Sequence, residues 1–121
     1  MIVLRRAKGP KKFEVEFEDG TTVRFGLKGY SDFTLHKNPL RMRSYVRRHG
    51  GRVSTAIGVM TNPQKVLRAM RSVTVSSKEN WTKSGIKTAG FWSRWLLWSE
   101  PSLRDAIKLI ESKFNVNIVK R

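Results

Sequence analysis

The chain has no cysteine, two histidines and only nine acidic residues among 121, and each scarcity closes off a class of chemistry. Without thiols there is no disulfide framework, no zinc ribbon and no thiol redox centre, and the composition suits a reducing compartment. Two histidines with scattered carboxylates do not supply the three or four ligands that a metal site needs, so no metal and no cofactor is expected. No apolar run approaches the roughly 20 residues of a membrane-spanning helix. Met1 to Leu4 is apolar, but Arg5 and Arg6 follow at once. The expectation is a soluble, non-secreted protein.

Charge is what the chain has in excess. Its 25 Lys and Arg against nine Asp and Glu give a formal net charge of +16, far more than solubility requires, and they point to a polyanion: DNA, RNA, anionic lipid or an acidic protein face. Residues 1–50 carry 12 basic and 5 acidic groups, residues 51–80 carry 5 and 1, and residues 81–121 carry 8 and 3. The charge therefore belongs to the folded body and not to a detachable tail. A chain of this length reads as one domain, 1–121, that buries about two thirds of its unfolded surface.

Phe13, Val15 and Phe17 alternate with charged residues up to Asp19-Gly20, after which Val23 and Phe25 alternate again; this is a β-hairpin. A two-residue Asp-Gly turn would put the two apolar sets on opposite faces. A three-residue loop, Glu18-Asp19-Gly20 with Gly20 left-handed, pairs Phe17 with Thr21, Val15 with Val23 and Phe13 with Phe25 on one face, and is preferred. Ile2 to Leu4 supplies a third strand. Asn38-Pro39 starts a helix that Gly50-Gly51 stops. Its apolar stripe is Met42, Tyr45, Val46 and His49, with arginines over much of the remainder. Asn62-Pro63 starts another, with Val66, Leu67, Met70 and Val73 as its stripe. Residues 52–60 give no readable pattern, and 76–88 read as a polar loop anchored by Trp81. Leu103, Ala106, Ile107, Ile110 and Phe114 mark the cleanest amphipathic helix, followed by a short strand at Val116 and Ile118. The expected class is α+β: a small antiparallel sheet packed against three or four helices.

Ten residues, Ala89 to Trp98, hold three of the four tryptophans, with Arg94 interrupting the rings. With Thr88 as cap, a helix here puts Phe91, Trp95 and Trp98 on one side and Arg94 elsewhere. Base stacking, an interfacial membrane helix and a partner groove are open to such a segment. The favoured reading makes Trp81, Phe91, Trp92, Trp95 and Trp98 core aromatics that join the hairpin to the last helix.

No catalytic group is expected. Ser31, Asp32 and His36 are close in sequence but lack a nucleophile-elbow pattern, and a capping role suits them better. A histidine pair in a basic nuclease is chemically sound, yet His49 lies on an apolar stripe. The glycines form no phosphate loop. The binding candidates are Lys37, Arg41, Arg43, Arg47 and Arg48 on the first helix, extended by Lys65, Arg68 and Arg71 on the second, facing nucleic acid or an acidic partner.

The strings Phe25-Gly26-Leu27-Lys28-Gly29-Tyr30-Ser31-Asp32-Phe33-Thr34-Leu35-His36-Lys37, Tyr45-Val46-Arg47-Arg48-His49, Glu79-Asn80-Trp81 and Thr88 to Trp98 resemble a family of short basic proteins encoded by large nucleocytoplasmic DNA viruses. The likeness runs from Phe13 to about Ile110 and has no established activity to carry over. In the family the Arg-His end of the first helix leads almost directly to the Asn-Trp, so the resemblance implies that residues 50–77 are an insertion. It also implies a non-enzymatic virion structural protein, a minor capsid or internal cement component found in the virion and, during assembly, in the host cytoplasm. The partners implied are other capsid proteins and double-stranded genomic DNA, with peripheral membrane contact open and no small-molecule substrate. A dedicated nucleic-acid-binding protein for genome packaging or transcription is the alternative.

Overall fold

A computed structural model describes residues 1–121. Three strands open the chain, β1 (Ile2–Arg6), β2 (Lys11–Glu16) and β3 (Thr22–Leu27). The β2–β3 register is the one the three-residue loop demands: Phe13 opposes Phe25 and Val15 opposes Val23. The Phe17 N–H donates to the Thr21 carbonyl at 2.9 Å, and Gly20 turns the corner at φ +86°. Because every apolar residue then lands on one face, Leu4, Phe13, Val15 and Phe25 are all buried there.

The opposite face carries a row of charge. Arg5 opposes Glu14 across β1–β2 and Arg24 opposes it across β2–β3, with nitrogen–oxygen distances of 2.5 and 2.7 Å. Hydrogen bonding from Arg24, then from Arg5, holds the Glu14 carboxyl below the ordinary glutamate range.

The remaining elements are α1 (Phe33–His36), α2 (Pro39–Arg48), α3 (Thr55–Gly58), α4 (Pro63–Met70), α5 (Ala89–Trp92), α6 (Leu103–Phe114) and β4 (Ile118–Lys120). Side-chain caps set most starts: Asn38 accepts from Leu40 and Arg41 N–H, Asn62 from Gln64 and Lys65, Ser54 from Ile57, Thr88 from Phe91 and Ser102 from Asp105. Each oxygen satisfies donors that an α-helix leaves orphaned in its first turn. The fold is α+β, as the sequence indicates. The helical segments are more numerous than the three or four expected, because α1 and α3 are single turns too short to leave a periodic stripe.

The sheet order is β3-β2-β1-β4, and β4 runs parallel to β1. The sheet is therefore mixed and not purely antiparallel. The reason lies at the end of α6, where Asn115 takes a left-handed conformation, φ 54°, and turns the chain back along β1. The Ile2 N–H then donates to the Asn117 carbonyl and the Arg121 N–H to the Leu4 carbonyl, both at 2.8 Å.

Between sheet and α6 lies the tryptophan segment. α5 runs on into a π-helical turn over Ser93–Leu97, a widened geometry that changes which residues share a side. Trp92 faces the sheet, its ring 6.4 Å from Phe17 and 6.0 Å from Phe25. Phe91 and Trp95 face Phe114 of α6 at 4.8 and 5.5 Å. Trp98, expected on that same side, leaves it: the helix ends at φ −132° and the indole stacks instead on Tyr45 of α2, centroids 4.1 Å apart and planes 2° from parallel. The aromatic segment thus fills the core and fastens the hairpin to α6, with Trp98 half-buried at its edge.

Residues 50–77 leave and re-enter the body at one point. Gly51 and Ser76 form an antiparallel bridge, closed by Arg52 N–H to Val75 O at 2.9 Å and Ser77 N–H to Gly50 O at 3.0 Å. Val66, Met70 and Val73 from this excursion are nonetheless buried in the common core.

Candidate functional site

The eight basic candidates divide by what they touch. Arg41, Arg47 and Arg48 on α2 and Lys65 and Arg68 on α4 are exposed, and none lies within ion-pairing distance of a carboxylate. Lys37 is also exposed, but it ends α1 in a left-handed conformation and its ammonium donates to the carbonyls of Thr34 and Pro101. Arg43 turns inward, giving one guanidinium nitrogen to Ile57 O at 2.9 Å and Met60 O at 2.7 Å, so it ties α3 to α2. Arg71 grips Glu100 at 2.7 Å, and hydrogen bonding to that carboxylate raises its affinity for its proton.

Arg41 and Arg48 meet a set of residues that the sequence did not place with them. With Lys11 and Lys12 of β2 they surround a cavity of about 500 Å³ whose walls include Tyr45, His49 and Trp98. Tyr45 is sandwiched there, 4.0 Å from His49 on one face and 4.1 Å from Trp98 on the other. Burial, and next the nearby Glu79 charge, push its phenol above the ordinary tyrosine range. Ala89 and Ser93 from the tryptophan segment also line it. Nothing in the sequence signals Lys11 or Lys12 as part of this site, since only the tertiary fold brings β2 and α2 to one cavity.

The residues weighed for catalysis have structural partners. Asp32 caps α1 by accepting from Thr34 N–H at 2.9 Å and pairs with Lys12 at 2.6 Å. His36 Nδ1 accepts from the Asn38 N–H at 3.0 Å, and His49 Nδ1 lies 3.3 Å from Glu79, which also accepts from the Trp81 indole at 2.8 Å.

Arg94 is the buried residue that the sequence reading undervalued. It is fully enclosed, and its guanidinium donates to Trp98 O at 2.6 Å, Met70 O at 2.8 Å and Val73 O at 3.2 Å. Its carbon sits 4.3 Å from the centre of the Trp95 ring and 5.6 Å from that of Trp81. Burial lowers its pKa to about 9, so the charge persists at neutral pH. The Met70 carbonyl, which also accepts from the Val73 N–H at 3.1 Å, belongs to the last turn of α4, where a cation is favoured. A lone charge inside an otherwise apolar decapeptide was the available signal.

Residues 3–49, from β1 to the residue after α2, match the model of a family described as a family of unknown function (DUF5754). The match stops where the 50–77 excursion begins. No curated protein and no solved structure matches the chain. No helix is long and apolar enough to cross a membrane.

Proposed function

We propose that the chain is a non-enzymatic structural protein of a large DNA virus particle, a minor capsid or internal cement component, that contacts acidic protein faces or genomic DNA through α2 and α4. The observation that carries the polyanion contact is how charge is paired. Six of the nine carboxylates hold a cation within the chain, one of them the N-terminus, and a seventh, Glu79, meets the His49 ring, whereas five of the 25 Lys and Arg pair with a carboxylate. Most of the acidic groups are engaged internally and, Arg94 and Arg43 apart, most of the surplus positive charge is exposed. A polyanion set against it gains through release of its counterions. The viral setting is supported by the likeness of the Gly-Tyr-Ser-Asp-Phe and Gly-Phe-Trp-Ser-Arg-Trp strings to the viral family. The non-enzymatic reading is supported by the structural engagement of Asp32, His36 and His49.

Mass spectrometry of gradient-purified particles tests the structural role: the protein is expected among their components, and its absence would sink that role. Titration of the pure protein against duplex DNA at several salt concentrations tests the contact. If the five exposed cations of the two helices each neutralise one phosphate, log K should fall with log salt at a slope of about −4 to −5. A steep slope from a protein missing from particles would identify a dedicated nucleic-acid-binding protein instead. A flat response leaves acidic protein faces as the partner of α2 and α4.

A further inference from the structure

The cavity beside α2 adjoins a second one of about 510 Å³, and the two share Lys12, Tyr30, Ser31 and Asp32 as the sill between them. Together they form a groove along β2 and β3. Its cations are Arg6, Lys11, Lys12, Lys28, Arg41 and Arg48, and its single carboxylate, Asp32, is engaged by Lys12. Five positive charges therefore line a concave surface without an opposing carboxylate.

On the sill stands Tyr30, 71 % exposed, with Leu35, 64 % exposed, and Leu27, 47 % exposed, beside it. A bare phenol ring and two leucines amid cations are a poor arrangement for contact with water alone. Flat rings alternating with positive charge are how proteins hold unpaired nucleotides, the charges tracking the phosphates while the rings stack on bases. Each cavity has the volume of an ordinary small-ligand site, and two in sequence suit successive nucleotides of one strand. A duplex keeps its base faces stacked inside and cannot enter a concave groove of this size, and an acidic peptide offers charge without planar rings.

We propose that this groove binds single-stranded nucleic acid, with Arg6, Lys11, Lys28, Arg41 and Arg48 on the phosphates and Tyr30 stacked against a base. This goes beyond the contact assigned to α2 and α4: it names another surface and another form of nucleic acid, and only Arg41 and Arg48 are common to both.

The test uses the full chain and three probes of about 12 nucleotides, a length within the site sizes of single-strand binders: a thymidine strand, an abasic strand of equal charge, and a duplex. The thymidine strand should bind about tenfold more tightly than the abasic one, the loss expected for one stacked base. Tyr30→Ala should abolish that difference and Tyr30→Phe should keep it, with far-ultraviolet circular dichroism showing both variants folded. Lys11→Ala should lower the salt slope by about one unit. Equal binding of thymidine and abasic strands, indifference to Tyr30→Ala, or full competition by polyglutamate would each overturn the proposal. The contact of α2 and α4 is read separately: the Arg47, Lys65 and Arg68 triple alanine variant should weaken duplex binding and leave the thymidine-over-abasic preference intact.

Discussion

The Arg94 guanidinium lies 4.3 Å from the centre of the Trp95 ring while donating to the last carbonyl of α4, Met70 O, at 2.8 Å. This places an unpaired charge in the core, stabilised by three carbonyls and two indole faces in place of a carboxylate. Such a site is destabilised by removal of the cation, because the Trp98 and Val73 carbonyls lose the guanidinium and Met70 O keeps only the Val73 N–H, at 3.1 Å. Arg94→Ala should therefore cost about 3–5 kcal/mol in urea unfolding, from the lost volume and the orphaned acceptors together. Arg94→Lys keeps a charge but not the planar fork, and should fall between Ala and wild type. A loss below about 1 kcal/mol for Arg94→Ala would mean that water satisfies those carbonyls.

The four tryptophans should separate by accessibility. Trp81, Trp92 and Trp95 are wholly buried, each with its indole N–H donated, to Glu79, Ile86 O and Trp81 O at 2.8, 2.6 and 2.8 Å. Trp98 alone reaches the cavity wall. Acrylamide should quench one minor component of the emission, and Trp98→Phe should remove it while leaving the blue, protected part. If quenching reaches most of the emission in the native protein, the enclosed aromatic core is wrong.

The hairpin register, the caps of α2 and α4 and the amphipathic α6 were legible because each rests on local chemistry: a loop length, an Asn-Pro pair, a 3.6-residue period. Burial of Trp81, Phe91, Trp92 and Trp95 was legible from the area they would otherwise expose. The sequence could not show that Arg43 and Arg71 point into hydrogen bonds with Ile57, Met60 and Glu100, since a helical wheel gives a direction and not a partner. Nor could it foresee the π-helical turn that moves Trp98 from α6 to Tyr45. The groove was hidden for the same reason: Lys11, Tyr30 and Arg41 come together only through the packing of β2, β3 and α2.

Acid should weaken the fold before the lowered carboxylates Glu14, Glu18 and Asp19 take up protons. His36 has its affinity for a proton lowered, first by burial and then by the nearby Arg41 charge. Its Nδ1 already accepts an N–H, so protonation opposes the Asn38 bond. The unfolded chain then binds more protons than the folded one, so stability is full above the unfolded value of about 6.5 and is lost as pH falls through the lower folded value. The lowered carboxylates Glu14, Glu18 and Asp19 add their own loss only below their unfolded values of about 4. Between about pH 7 and pH 5, Tm should decline in the native protein and stay level in His36→Asn, which keeps an acceptor but does not titrate. A parallel decline in both would assign the effect elsewhere.

The 50–77 excursion invites an excision experiment because its ends are already joined by the Gly51–Ser76 bridge. Replacing residues 52–75 with an Asn-Gly turn preserves that junction, since two-residue turns of this type close antiparallel pairs. A dispensable insertion would be lost without penalty. This one contributes Val66, Met70 and Val73 to the core and two of the three carbonyls that receive Arg94. Excision alone should leave the guanidinium facing the gap with only Trp98 O as an acceptor, and the chain should fail to give a cooperative unfolding transition. Excision combined with Arg94→Met removes the stranded charge and fills part of the space, and should recover a measurable transition. In the uncut chain the same Arg94→Met change should be destabilising, so the two alterations are coupled with opposite sign, by more than the roughly 0.5 kcal/mol within which independent sites add. Equal stability of the excised chain with Arg94 or Met at position 94 would show that the arginine fastens something other than this segment.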